Sequence, residues 1–198
     1  MSFLFDPENL LPYDGIAIYH GVVFNEQEAN GICKDLLDTI PWKQDEVVMF
    51  GKKIITKRKV AWYADAGISY TYAGVKKSGL EWTSALFGIK QKVEAMTGAK
   101  YNACLLNLYH EGEEGMGWHQ DNEKEIVEAS SIASLSFGAV RKFAFKHAKT
   151  NERVDIELAH GSLLDMKGTI QANWYHSLPK TTRVKQVRIN LTFRLMHA

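Results

Sequence analysis

Cysteine is nearly absent from this chain, with two in 198 residues, Cys33 and Cys104. That count excludes a disulfide-stapled scaffold and a cysteine-rich metal module. Cys33 falls on the apolar side of a predicted helix and Cys104 in a predicted strand, so both read as small buried hydrophobes. Proline is also scarce, at four residues, and no repeat, low-complexity stretch or linker divides the sequence. No apolar run approaches the roughly 18 residues of a membrane span, and no basic-then-apolar leader opens the sequence. A preponderance of one charge is missing too: 24 Lys and Arg against 23 Asp and Glu give a formal net charge of +1. This argues against a globally basic nucleic-acid binder and leaves room for a local basic patch. What remains is 198 residues at 45% hydrophobic content, enough to bury one sizeable core. The expectation is one soluble domain over residues 1–198, monomeric, free of membranes, and cytoplasmic (nuclear in a eukaryote).

Two stretches carry helical periodicity. From Asn25 to Ile40, Ala29, Ile32, Cys33, Leu36, Leu37 and Ile40 recur at helical spacing. Asn25 with Glu28 makes a capping-box start, and Pro41 ends the run. A second helix is predicted from about Leu80 to Thr97, with Trp82, Leu86, Ile89, Val93 and Met96 on one stripe and Gly98 as its C-cap. From Asn102 onward the texture changes to short alternating runs separated by Gly, Asn and Lys turns, which reads as antiparallel sheet. Helices followed by many short strands predict an α+β fold with a jelly-roll core.

The chemistry is concentrated in three short motifs. His119 and Asp121, in WHQDNE, lie two positions apart, so an extended backbone points both side chains the same way. His176, in NWYHSLPK, follows 57 positions later and after further strand-like runs. Two imidazoles and a carboxylate form the facial triad of non-haem Fe(II) oxygenases, although an H-x-D pair by itself is common. The third motif, RINLTFR, alternates strictly. Arg188, Asn190, Thr192 and Arg194 share one face, and Ile189, Leu191 and Phe193 share the other. Read alone, this is an ordinary half-buried strand with a solvated face. Beside an Fe(II) triad, the arginine face suits a dianionic keto acid, because guanidinium grips a carboxylate bidentately. In NACLLNLY, Asn107 and Tyr109 share a strand face and could hydrogen-bond one carboxylate, or simply end a strand.

A local basic patch does exist. Between Lys52 and Lys59, five of eight residues are Lys or Arg: Lys52, Lys53, Lys57, Arg58 and Lys59. The run is interleaved with Ile54 and Ile55 and bracketed by Phe50 and Trp62. It reads equally as a solvated hairpin arm or as a surface gripping phosphates and stacking bases.

Taken together, LLNLYHEGEEGMGWHQDNE, SIASLSFGAVRKFAFKH, HGSLLDMKGTIQANWYHSLPK and RINLTFR resemble, in order and spacing, the catalytic core of the AlkB family of 2-oxoglutarate- and Fe(II)-dependent dioxygenases. The branch most similar is that of the DNA-repair demethylases. The matching pieces span about half the chain, and FGKK and KRKVAWYADAGISYTYAG extend the likeness upstream. The resemblance implies a double-stranded β-helix (jelly-roll) core over about 101–198. Helices and a nucleotide-recognition lid would occupy about 1–100. It implies Fe(2+) on His119, Asp121 and His176, and 2-oxoglutarate on Asn107, Tyr109, Arg188, Asn190, Thr192 and Arg194, with O2 as the other co-substrate. Arg188 would pair with the distal carboxylate, and Arg194 would lie nearer the metal. The reaction implied is oxidative demethylation of bases such as 1-methyladenine and 3-methylcytosine in DNA, with RNA as a further candidate. Formaldehyde, succinate and CO2 would be released.

For the substrate, the resemblance implies that Tyr72, in SYTYAG, stacks on the flipped base opposite His119. Tyr70, Arg58 and Glu123 would stand at its polar edges. Phe50, beside Gly51 and Lys52, resembles the apolar wedge that fills a flipped base's gap. Two departures stand out. Asn122 occupies a position that is acidic in close relatives, and the turn after His147 is short, with only Lys149 and Arg153 basic before Asp155. Two other readings compete: an oxygenase of the same fold acting on proteins or small molecules, and a catalytically silent nucleic-acid-binding module.

Overall fold

The computed structural model describes residues 8–49, 52–72 and 75–197, and their side chains except at 45–49, 52–54, 70–72 and 75–78. β1 (Ile16–Val22) leads into α1 (Glu26–Thr39), then the antiparallel pair β2 (Lys43–Met49) and β3 (Lys52–Ala64). A short pair, β4 (Ser69–Tyr72) and β5 (Val75–Ser78), precedes α2 (Ser84–Thr97). Four strands follow: β6 (Ala103–Tyr109), β7 (Met116–His119), β8 (Ile132–Gly138) and β9 (Arg141–His147). The chain ends with β10 (Arg153–Leu158), β11 (Ser162–Lys167), the one-turn α3 (Ile170–Asn173), β12 (Trp174–Leu178) and β13 (Arg188–Arg194).

The predicted caps organise both long helices. Asn25 accepts from the Glu28 N–H at 2.9 Å while Glu28 accepts from the Asn25 N–H at 3.0 Å, a complete capping box. α1 then stops at Ile40, ahead of Pro41. α2 ends on Gly98 at φ 70°, a left-handed conformation that glycine adopts without steric cost. Its start differs from the expected Leu80. Thr83 is the N-cap, taking the Leu86 N–H, and the helix begins at Ser84. Leu80 instead exchanges backbone hydrogen bonds with Trp62 and Ala64 of β3, so sheet pairing claims the segment that periodicity gave to a helix. Trp82 is likewise outside the helix. It lies parallel to Phe193 at 6.4 Å and donates its indole N–H to Asp65 at 2.7 Å.

Seven strands form the major sheet in the order β1-β11-β8-β13-β6-β3-β2, and four form the minor sheet, β10-β9-β12-β7. The expectation of helices first and strands afterwards is therefore incomplete: β1, β2 and β3 of the N-terminal half are built into the major sheet. Alternation then sets the layers. Ile189, Leu191 and Phe193 of β13 pack with Leu106, Leu135, Leu163 and the helix residues Leu36, Leu86 and Val93. Each such leucine removed from water contributes about 1.5–3 kcal/mol. The opposite face of the major sheet looks onto the minor sheet across a second cluster containing Phe145, Leu158, Leu164, Met166 and Trp174. This inter-sheet space receives the polar face of β13. No helix among the described residues is long and apolar enough to cross a membrane.

Candidate active site

β7 and β12 are hydrogen-bonded neighbours, and their register places His119 directly opposite His176. Directly paired residues share a sheet face, and the two imidazole centroids are 4.2 Å apart. β7 ends at His119, and the chain turns so that Asp121 closes on the pair. Asp121 Oδ1 lies 3.6 Å from His119 Nε2 and 3.9 Å from His176 Nε2. One ligand atom from each residue lies within 4.8 Å of the others.

Neighbouring groups orient these donors. His119 Nδ1–H donates to the Gly117 carbonyl at 2.9 Å, which turns Nε2 toward Asp121 and the space where a metal would sit. The His176 ring stacks on Phe143 at 5.5 Å. Burial pushes its pKa down to about 4, so it stays neutral at physiological pH. Asp121 is pinned from two sides: its N–H donates to Gln171 Oε1 at 2.9 Å, and its Oδ2 accepts from Arg194 Nε at 3.2 Å and Nη2 at 2.6 Å. Burial raises the Asp121 pKa, but Arg194 and the two histidines outweigh it and hold the carboxyl at about 2. Asp121 in turn raises the pKa of Arg194 against the opposing effect of burial.

The triad opens onto a pocket between the sheets, about 500 Å³ including its mouth, lined among others by Asn107, Tyr109, Arg188, Asn190, Thr192 and Arg194. All six residues expected to hold the keto acid thus share one cavity with the triad. Arg188 is only 2% exposed. It donates to Ser136 Oγ at 2.9 Å and lies 5.4 Å from the Tyr109 ring centre, while its Nε has no partner. Burial pushes its pKa down to about 10. A buried cation without a carboxylate partner among the described residues is costly unless an anion completes it. The buried Asn107 Oδ1 is also unpartnered. Asn190 donates to Ser134 Oγ at 2.8 Å and accepts from Thr192 at 3.0 Å, fixing the middle of the face. Two imidazoles and a carboxylate suit Fe(II), and an incomplete buried guanidinium suits a keto-acid carboxylate.

The substrate-side residues are placed less completely. Arg58 is 8% exposed and donates to Met116 Sδ at 3.5 Å, so it reaches the start of the strand that bears His119 rather than lying on a solvated arm. Asn122 and Glu123 follow Asp121 at the exposed rim, and Glu123 is close enough to help raise the Arg194 pKa. Tyr70 and Tyr72 belong to β4 and Lys52 to β3, each described by its backbone alone. Phe50 and Gly51 lie outside the described residues. Sequence reasoning missed Ser134, Ser136 and Gln171. The alternation SLSFG could have flagged the two serines. Gln171 carries no such signal, because its role depends on how α3 packs against the loop after β7.

A model of the 2OG-Fe(II) oxygenase superfamily matches residues 15–194. The mouse DNA oxidative demethylase ALKBH2 is 38% identical over 192 residues, 91% of this chain and 80% of its own. The human alpha-ketoglutarate-dependent dioxygenase alkB homolog 3 is 34% identical, over 92% of this chain and 66% of its own. The structure of OsALKBH1 superposes with a TM-score of 0.62 over 93% of this chain and 98% of that one, and at 13% identity it shares the fold.

Proposed function

This chain belongs to the AlkB family of the 2OG-Fe(II) oxygenase superfamily, and we propose that it oxidatively demethylates N-methylated bases in DNA. The observation that carries the reading is the convergence of His119, Asp121 and His176 on a pocket whose far side holds the incompletely bonded Arg188. Relatives named for DNA oxidative demethylation, similar across most of the chain, supply the substrate class.

The protein's own contribution is binding and orientation. His119, Asp121 and His176 would hold Fe(II), and Arg188, Asn107 and Tyr109 would take the distal carboxylate of 2-oxoglutarate. With O2, the bound metal and keto acid supply the oxidising power that converts an N–CH3 into N–CH2OH, releasing succinate and CO2. An N-hydroxymethyl group expels formaldehyde and restores the base without further help. Arg194 secures Asp121 by one oxygen and so keeps the other turned toward the histidines. Tyr72 would stack on the extruded base, with Tyr70, Arg58, Asn122 and Glu123 at its edges and Phe50, Gly51 and Lys52 at the duplex. A carboxylate at Glu123 attracts the positive charge of 1-methyladenine or 3-methylcytosine. The short turn between β9 and β10 offers little to a second strand, so single strands serve at least as well as duplexes. The enzyme works as a monomer in the cytoplasm, or in the nucleus of a eukaryote, and RNA is a second substrate.

Succinate release separates this reading from its competitors. Methylated oligonucleotides should stimulate it strongly over unmodified ones and over no substrate. Stimulation by neither methylated oligonucleotides nor nucleosides would point to an oxygenase with another substrate class.

A further inference from the structure

The strands that hold the metal have a second face. Trp118 and Tyr175 immediately precede His119 and His176, so they project from the outer side of the minor sheet, away from the pocket. Trp118 is 37% exposed. Its indole extends from the edge strand β7 across the sheet, because the cations that reach it come from the far strands β9 and β10. Lys146 Nζ lies 4.9 Å and the Arg153 guanidinium 5.5 Å from the ring centre, and Lys146 is also 5.7 Å from the Tyr175 ring.

Lys146 and Arg153 are paired directly across β9 and β10. Like charges placed directly opposite destabilise a sheet, and the hairpin's own acids do not relieve this pair. Asp155 is bound by Lys142 at 2.7 Å, and Glu157 stands opposite Lys142 in the register. Glu152 is turned to the Tyr13 hydroxyl at 2.6 Å. Neither Lys146 nor Arg153 has a carboxylate partner among the described residues. One end of the hairpin is thus neutralised, while the other presents two uncompensated cations beside an exposed indole.

We propose that this patch is a secondary binding site for single-stranded nucleic acid. A base would stack on the open part of Trp118, and the adjoining phosphates would be taken by Lys146 and Arg153. The chemistry is that of a sequence-tolerant stacking platform: aromatic faces accept any base, and cations follow the backbone. The proposal rests on the nucleic-acid reading above. It adds that substrate strands long enough to pass around the β7 edge bind more tightly than those that only fill the pocket.

Two measurements on the full chain test it. In the first, a fluorescein-labelled, unmodified single strand of roughly 16 nucleotides is titrated by anisotropy with wild type, Trp118→Ala and the double variant Lys146→Ala/Arg153→Ala. Both variants should bind about tenfold more weakly, and the double variant should lose about 1.4 from the magnitude of the log K against log salt slope. In the second, turnover is compared on a methylated trinucleotide and on a methylated long strand. The variants should raise KM for the long strand alone and leave the trinucleotide unchanged. Unaltered binding of the long strand, or an equal loss on the trinucleotide, would overturn the site. If Trp118→Ala fails to fold, the surface double variant decides alone. A wild type that binds the unmodified strand yet demethylates neither substrate would refute the demethylase reading and not the patch.

Discussion

Arg194 places two hydrogen bonds on one oxygen of Asp121, at 2.6 and 3.2 Å, and leaves the other oxygen facing His119 and His176. The arginine therefore selects which carboxylate oxygen would be presented to a metal and keeps the group ionised despite its burial. Groups that orient metal ligands in this way typically account for about 10–100-fold in metal affinity. Arg194→Gln should weaken binding of Co(II), used as a spectroscopic substitute for Fe(II), by that factor. An unchanged Co(II) affinity would remove Arg194 from the metal site.

Arg188 makes a different demand, since its fork donates to Ser136 Oγ beside the Tyr109 ring and leaves Nε unpartnered. Lysine supplies the charge without the fork. Losing a charge-assisted hydrogen bond costs about 1.5–3 kcal/mol, or roughly 10–100-fold. Arg188→Lys should raise the KM for 2-oxoglutarate by that amount, with a smaller change in kcat. Equal KM values in variant and wild type would mean that another residue anchors the co-substrate.

The pH dependence of the metal-free protein follows from His176, whose pKa falls from 6.5 to about 4 on folding because of burial. The unfolded chain binds this proton below 6.5, whereas the folded chain does so only near 4. Stability from this group is therefore full above 6.5 and is lost as the pH falls toward 4, by on the order of 3 kcal/mol at most. Asp121, lowered from 3.8 to about 2 as its cationic neighbours outweigh burial, adds a separate loss only below 3.8. Urea midpoints of the metal-free protein should drop between pH 7 and 4.5, and His176→Gln should flatten that drop. A variant with the wild-type slope would show that His176 does not drive it.

Arg141 is 2% exposed and has no carboxylate partner among the described residues; its guanidinium donates to four carbonyls, those of Glu111, Gly112, Glu114 and Pro179. It thus ties the loop before β7 to the segment after β12, from outside the triad. Leaving several buried carbonyls unpaired costs about 1–3 kcal/mol each. Arg141→Met should lower stability by more than about 3 kcal/mol in urea unfolding, and a loss under about 0.5 kcal/mol would show that water replaces it without penalty.

Much of this site was legible because strand alternation is a strong constraint. RINLTFR fixed which residues of β13 face the pocket, and the pocket contains all four. The two helix caps were equally local, and Asn25 and Gly98 act as expected. What escaped was set by pairing across long sequence separations. Leu80 was lost to β3, three strands of the N-terminal half entered the major sheet, and Gln171 reached Asp121 across 50 positions. H-x-D spacing suggested a shared strand face. In fact β7 ends at His119, and it is the turn beyond, held by Gln171 and Arg194, that brings Asp121 round.

The central claim is that His119, Asp121 and His176 direct oxidation onto a methyl group attached to a base nitrogen. Formaldehyde and succinate should be measured together on a single-stranded oligonucleotide bearing one 1-methyladenine, with the product strand weighed by mass spectrometry. The account predicts one formaldehyde per succinate, a strand lighter by one methylene, and loss of both products in Asp121→Ala while its circular dichroism stays native. Succinate without formaldehyde in the wild type, or coupled turnover surviving in Asp121→Ala, would contradict it.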